Sequence, residues 1–97
     1  MFLELTDPGS NAPVLLNTHW VAHWFPHDLD DARQTLVEMA YVWISPDNQH
    51  GVPEARTLIV AQSYDAIMRI LMQYQGQPDA VASLHRPLTG VRRRRRQ

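Results

Sequence analysis

The segment Arg33-Gln-Thr-Leu-Val-Glu-Met-Ala-Tyr-Val-Trp-Ile44 decides the fold, because its residues fit two different secondary structures. As a helix capped by Asp30, it would gather an apolar stripe that includes Leu36, Ala40 and Trp43. As a strand, it alternates side chains between two faces, and its last four residues are all strong β-formers. The pattern favours the strand and therefore a chain rich in β-structure.

Apolar runs before this segment predict three more strands. Residues 2–6 alternate apolar and polar side chains, and a turn-forming stretch rich in Pro, Gly and Asn follows them. Residues 13–17 then complete a hairpin. Asn17 is placed to cap a single helical turn, after which residues 21–25 extend until Pro26 ends the strand.

The second half predicts one strand and one helix. Residues 55–62 form a strand around their Thr-Leu-Ile-Val centre, after a loop over residues 45–53. An amphipathic helix follows over residues 64–75, with Ser63 as its N-cap and Gly76 after its last residue. Apolar side chains recur along it at helical spacing, at Ile67, Ile70, Leu71 and Tyr74. We interpret residues 79–86 as one or two further helical turns.

Together these elements predict an α+β domain over residues 1–87. Its expected architecture is a small curled antiparallel β-meander of four to five strands, capped by one C-terminal amphipathic helix. Residues 88–97 are expected to form a flexible basic tail.

Composition excludes several classes of protein. With 44% hydrophobic and 20% charged residues, the 97-residue chain is too apolar to be disordered. It has no cysteine, which removes disulfides, thiolate metal sites and cysteine nucleophiles. No signal peptide and no apolar run of about 18 residues is evident, so we expect a cytoplasmic protein without membrane insertion.

Charge is distributed unevenly along the chain. Four arginines and ten acidic residues precede Arg92, which gives residues 1–91 a formal charge of −6. The run Arg92, Arg93, Arg94, Arg95 and Arg96 carries +5. This run predicts non-specific attraction to the phosphates of nucleic acid, although no aromatic residue lies within it to stack on bases.

The chain resembles the small FlbD-like flagellar accessory family and related uncharacterised bacterial and phage proteins. The resemblance rests on the strand Phe2–Thr6, on Leu16-Asn17 followed by Val21 and Trp24, and on residues 58–67, Leu-Ile-Val-Ala-Gln-Ser-Tyr-Asp-Ala-Ile. It covers about two thirds of the chain and contains no catalytic group. Gln62 stands where the family usually has glutamate, and the arginine tail is foreign to the pattern. The resemblance implies a compact β-rich fold with a C-terminal helix.

Residues 15–28 contain three histidines and two tryptophans, which makes them the most distinctive segment. On one helix, His19, His23 and His27 could share a metal ion, but on a strand residues four apart are about 13 Å apart. Pro26 argues against the helix. A two-histidine site completed by an aspartate at position 28 or 30 stays open beside the alternative of half-exposed histidines, and we predict no metal and no cofactor.

The tryptophans suit either the core or a binding surface. We expect at least one to be buried, and an exposed one would mark a partner site. The residues predicted to bind protein are Trp20, His23, Trp24, Asn48 and His50.

No phosphate loop, nucleophile elbow or metalloprotease motif is present, and no small-molecule substrate is expected. We therefore predict a non-enzymatic accessory or adaptor protein that binds another protein. The hypothesis includes self-association as a homodimer. The alternative hypothesis is a nucleic-acid-associated protein that uses the arginine tail.

Overall fold

The computed structural model describes residues 1–27, 33–43, 51 and 53–86. They form six strands, one 3₁₀ turn and one helix. In chain order these are β1 (Phe2–Thr6), β2 (Pro13–Asn17), the 3₁₀ turn (Thr18–Trp20), β3 (Val21–Pro26), β4 (Thr35–Trp43), β5 (Glu54–Val60), α1 (Tyr64–Gln73) and β6 (Val81–Ser83).

The strands form two three-stranded sheets, with the orders β2-β1-β6 and β3-β4-β5. β1 and β2 make an antiparallel hairpin, and β3, β4 and β5 are also antiparallel. β6 pairs with β1 in parallel, so that Phe2 lies opposite Val81. A hydrogen bond from the amide of Ala61 to the carbonyl of Thr6, 2.8 Å long, joins the end of β5 to the end of β1.

Mixed α+β structure is thus confirmed, but three details of the predicted architecture are wrong. The described residues contain six strands in two sheets, not a single meander of four to five strands. The helix is not C-terminal, because β6 follows it. Residues 81–83 form a strand where helical turns were expected, because the open edge of β1 supplies backbone partners: the amide of Leu84 donates to the carbonyl of Glu4 at 2.8 Å.

The ambiguous segment is a strand, as favoured. Alternate residues Thr35, Val37 and Met39 of β4 are buried. The register of β4 with β3 and β5 explains why this segment is a strand and not a helix. Val37 lies opposite Trp24 on one side and Leu58 on the other, so the strand is paired along both edges. Tertiary pairing of this kind decides between helix and strand where local propensity does not.

The core lies between the two sheets and the helix. Its buried apolar side chains are Leu3, Leu5, Leu16, Val37, Met39, Val60 and Ile67. They come from β1, β2, β4, β5 and α1, so both sheets and the helix contribute to the same cluster, and Val21 and Trp24 of β3 pack against it.

α1 begins and ends where the sequence predicts, within two residues. The Ser63 hydroxyl accepts a hydrogen bond from the amide of Ala66 at 3.2 Å, and Asp65 lies in the first turn. Gly76 follows with φ +81°, a backbone conformation that glycine adopts without steric cost. Over the described residues, no helix is both long and apolar enough to cross a membrane.

Candidate protein-binding surface

Trp20 lies at the end of the 3₁₀ turn and is 51% exposed. The Asn17 side chain caps this turn by accepting a hydrogen bond from the amide of His19 at 3.0 Å. The hydroxyl of Thr18 donates to the carbonyl of Met1 at 3.1 Å, which ties the turn to the start of β1. The turn therefore holds a large apolar side chain in solvent on a fixed backbone. The ring of His19 meets the Trp20 indole edge-on at 5.6 Å.

Trp24, in contrast, is half-buried and packs against the core. The register of β3 is irregular between Val21 and His23, and this irregularity turns both Val21 and Trp24 toward the interior although they are three residues apart. In a regular strand residues three apart face opposite sides. Trp24 therefore anchors β3, as expected for one of the two tryptophans, and Trp20 is left as the exposed one.

His23 lies on the outer face of β3. Its Nδ1 is 2.7 Å from Oε1 of Glu38, its cross-strand partner on β4, and the two side chains are 64% and 34% exposed. A pair so exposed contributes little to stability. Its effect is to fix the imidazole ring, whose other neighbour is the ring of Phe25 at 5.6 Å.

Phe25 continues this outer face as an apolar row. It is 42% exposed and lies opposite Leu36 of β4, which lies opposite Ile59 of β5. Of this row, Phe25 is exposed, whereas Leu36 and Ile59 are partly buried. We call Trp20, His23 and Phe25 the aromatic surface, because the 3₁₀ turn and β3 present all three side chains to solvent.

The histidine spacing does not build a metal cage in the described residues. His19 lies in the 3₁₀ turn and His23 on β3, so they do not share a helical face. Within residues 1–27, 33–43 and 53–86, no three His, Asp or Glu side chains converge in a way that could hold a metal ion.

Several predicted site residues lie outside the described part of the chain. They are Asn48 and His50 of the loop, the aspartates at positions 28 and 30, and the tail from Arg92 to Arg96. Their proposed roles stay predictions.

A groove of about 670 Å³ opens between the two sheets. Apolar side chains line much of it, including Val14 and Leu16 of β2, Met39 of β4 and Leu58 of β5, and Arg56 is the cation among them. β2 and β5 are the edge strands of their sheets. Sequence reasoning missed this groove, because its lining comes largely from three strands, β2, β4 and β5, that are separate in the chain and meet only in the fold.

Asp7 also lines the groove, but both of its carboxylate oxygens accept hydrogen bonds from within its own turn. The Ser10 hydroxyl donates to one carboxylate oxygen at 2.7 Å and the amide of Gly9 to the other at 3.2 Å. These donors, the Ser10 hydroxyl first, lower the pKa of Asp7 below its usual value. The carboxylate therefore serves to close the β1–β2 turn.

A polar network joins the two sheets at the buried end of β1. Gln62 bonds to the amide and hydroxyl of Thr6 and to the carbonyl of Leu84, and Nδ1 of His85 lies 2.7 Å from Oγ1 of Thr6. A hydroxyl this close to an imidazole has the geometry of a nucleophile and its base. Thr6 is fully buried, however, so no substrate reaches it. The network is structural, and no local sequence signal marks it.

The chain matches no protein-family model, no curated protein and no solved structure. The likeness to the FlbD-like family therefore stays a prediction. The function has to be argued from the surface itself.

Proposed function

We propose that this chain is a non-enzymatic accessory or adaptor protein that binds another protein through the aromatic surface. The observation that carries the proposal is the 51% exposure of Trp20 on a capped turn. Tryptophan is highly buried on average, and it is among the residues that contribute most to protein interfaces.

The surface has features that suit an interface. The cap from Asn17 fixes the backbone of the turn that carries Trp20, and the contact between His23 and Glu38 holds the imidazole ring. This order before a partner arrives lowers the entropy cost of binding. Phe25 and Leu36 supply apolar area beside them. Trp24 supports the surface from beneath, so its role in binding is indirect. Asn48 and His50 remain in the proposal as predicted contacts.

Trp20→Ala is expected to weaken partner binding by about 30-fold or more, the effect of losing a contact worth ~2 kcal/mol. Wild-type and variant chains would be used as bait in native lysate, and mass spectrometry would identify proteins that the wild type retains. The dissociation constant of each purified candidate would then be measured for both chains.

Met72→Ala is the matched control, because Met72 is also a large apolar residue and is 73% exposed on α1. It should bind as the wild type does. Equal losses for both variants would contradict a role for the aromatic surface. Turnover of a small molecule by the purified protein, without any retained partner, would reject the adaptor function.

Self-association belongs to the same proposal. β2, β3, β5 and β6 are edge strands in the described sheets, and an edge strand can pair with another chain. A homodimer formed in this way would present two aromatic surfaces. Light scattering on the purified chain measures its mass directly.

The alternative function is nucleic-acid association through residues 92–97, favoured by the five consecutive arginines. Five phosphate contacts predict a slope of log K against log salt of about −3.5 to −4.5. Removing residues 92–97 should abolish this dependence and any affinity for DNA or RNA, as measured by fluorescence anisotropy between 50 and 200 mM salt.

The same truncation separates the two functions. Under the adaptor proposal, partner binding survives the loss of the tail and depends on Trp20. If truncation abolishes an affinity for DNA or RNA together with its salt dependence, and Trp20→Ala leaves partner binding intact, the nucleic-acid function replaces the adaptor function.

A further inference from the structure

β6 is weakly attached to the rest of the fold by its own contacts. It has three residues, and Val81 is 69% exposed. At its two ends, the amide of Phe2 donates to the carbonyl of Ala80 at 2.9 Å and the amide of Leu84 to Glu4 at 2.8 Å. Side chains beyond the strand must therefore provide much of its attachment.

Gln62 provides one such attachment, and the orientation of its amide is determined by its partners. Oε1 accepts from the amide of Thr6 at 2.9 Å, so it must be the oxygen. Nε2 donates to the carbonyl of Leu84 at 2.8 Å and to Oγ1 of Thr6 at 3.0 Å. Gln62 is therefore one donor to the Thr6 hydroxyl.

The Thr6 hydroxyl has a second donor, the amide of Arg86 at 3.2 Å. A hydroxyl group has two acceptor lone pairs and one proton, so these two donors use its whole acceptor capacity. Its proton can go to Nδ1 of His85 at 2.7 Å or to the carbonyl of Arg86 at 3.4 Å. Hydroxyl donors prefer about 2.5–3.0 Å, which selects His85. His85 Nδ1 is thus an acceptor, and the neutral ring carries its proton on Nε2.

We propose that protonation of His85 releases β6 and residues 84–86 from β1. A protonated ring presents an N–H at Nδ1, so three donors would compete for two lone pairs on Thr6. The hydroxyl proton would lose its short acceptor at the same time. Attachment of β6 and proton binding to His85 therefore oppose each other, and the histidine is a pH-dependent clasp.

The direction of the pH effect follows from this opposition. The attached arrangement leaves no acceptor for a proton on Nδ1, so β6 is expected to be attached where the ring is neutral and released where it is protonated, and attachment weakens as pH falls.

The other ionisable groups of the surrounding elements are Glu4 and Asp7 around β1, Tyr64, Asp65 and Arg69 on α1, and Arg86. Glu4 accepts a hydrogen bond from the Ser83 hydroxyl at 2.7 Å, and Asp7 is closed in its own turn. Carboxyl groups ordinarily titrate near pH 4 and arginine stays charged, so a change between pH 7.5 and 5.5 is assigned to the histidine.

Amide hydrogen exchange on the full chain tests the clasp. Between pH 7.5 and 5.5, the protection factors of Leu84 and Arg86 should fall about tenfold, the effect of losing one hydrogen bond. The protection factor of Ala61, whose amide bonds to Thr6 from the other sheet, should stay constant. Protection factors correct for the intrinsic pH dependence of exchange.

His85→Asn is the informative variant, since its side-chain oxygen can accept from Thr6 near the position of Nδ1 but does not titrate. It should keep Leu84 and Arg86 protected at both pH values. The same pH dependence in wild type and variant would overturn the clasp. Nitrogen chemical shifts of the wild-type imidazole give a second reading: a neutral ring protonated on Nδ1 at pH 7.5 would also overturn it.

Discussion

Ile67→Ala is expected to lower the free energy of unfolding by about 3 kcal/mol. Ile67 is fully buried, and α1 inserts it into the cluster formed by residues of both sheets. Removing three carbon atoms there leaves a cavity that the strands cannot fill without moving. Urea denaturation followed by tryptophan fluorescence measures the change, because Trp24 leaves its half-buried environment when the core opens.

Met72→Ala is the control on the same helix. Met72 is 73% exposed, and alanine is the stronger helix former, so its free energy of unfolding should change by less than about 0.5 kcal/mol. Similar midpoints for the two variants would mean that α1 does not close the core.

Gln62→Ala is expected to lower the free energy of unfolding by about 2–4 kcal/mol. The side chain makes three hydrogen bonds that reach both the amide of Thr6 and the carbonyl of Leu84. Alanine would leave these backbone groups without partners at the point where the sheets meet. The loss should exceed that of a normal surface glutamine by several-fold.

Gln73→Ala provides that comparison, since Gln73 is exposed on α1. Thermal and urea unfolding of both variants should show a large decrease for position 62 and none for position 73. A wild-type stability for Gln62→Ala would show that the network does not join the sheets.

Elements with a local signal could be predicted from the sequence. Hydrophobic alternation identified β1, and the cap at Asn17 identified the 3₁₀ turn. Ser63 and Gly76 bracket α1, because each has a chemical reason to stand at a helix end. These signals act within a few residues, so a single sequence contains them.

β6 had no such signal. Three residues, Val-Ala-Ser, are too few for a periodic pattern, and they become a strand only because β1, 79 residues away, offers a free edge. The same reason explains the missed network of Thr6, Gln62 and His85. Its members are far apart in the chain, and each is an ordinary polar residue when considered alone.

The candidate site could be predicted in part. Sequence reasoning selected the two tryptophans but could not say which one is exposed, because the answer depends on the irregular register of β3 after Val21. In a regular strand, Val21 and Trp24 would lie on opposite faces, so one of the two would be placed in solvent although both pack against the core. The contact between His23 and Glu38 likewise depends on the register between β3 and β4, which is visible only once the strands are paired.

Hydrogen exchange of the complex with the retained partner tests the central claim most directly. If the aromatic surface binds the partner, amides of residues 19–25 should gain protection on binding, while those of residues 70–75 on and after α1 stay unchanged. Protection confined to other segments, with residues 19–25 exchanging as in the free chain, would contradict binding through Trp20 and its neighbours.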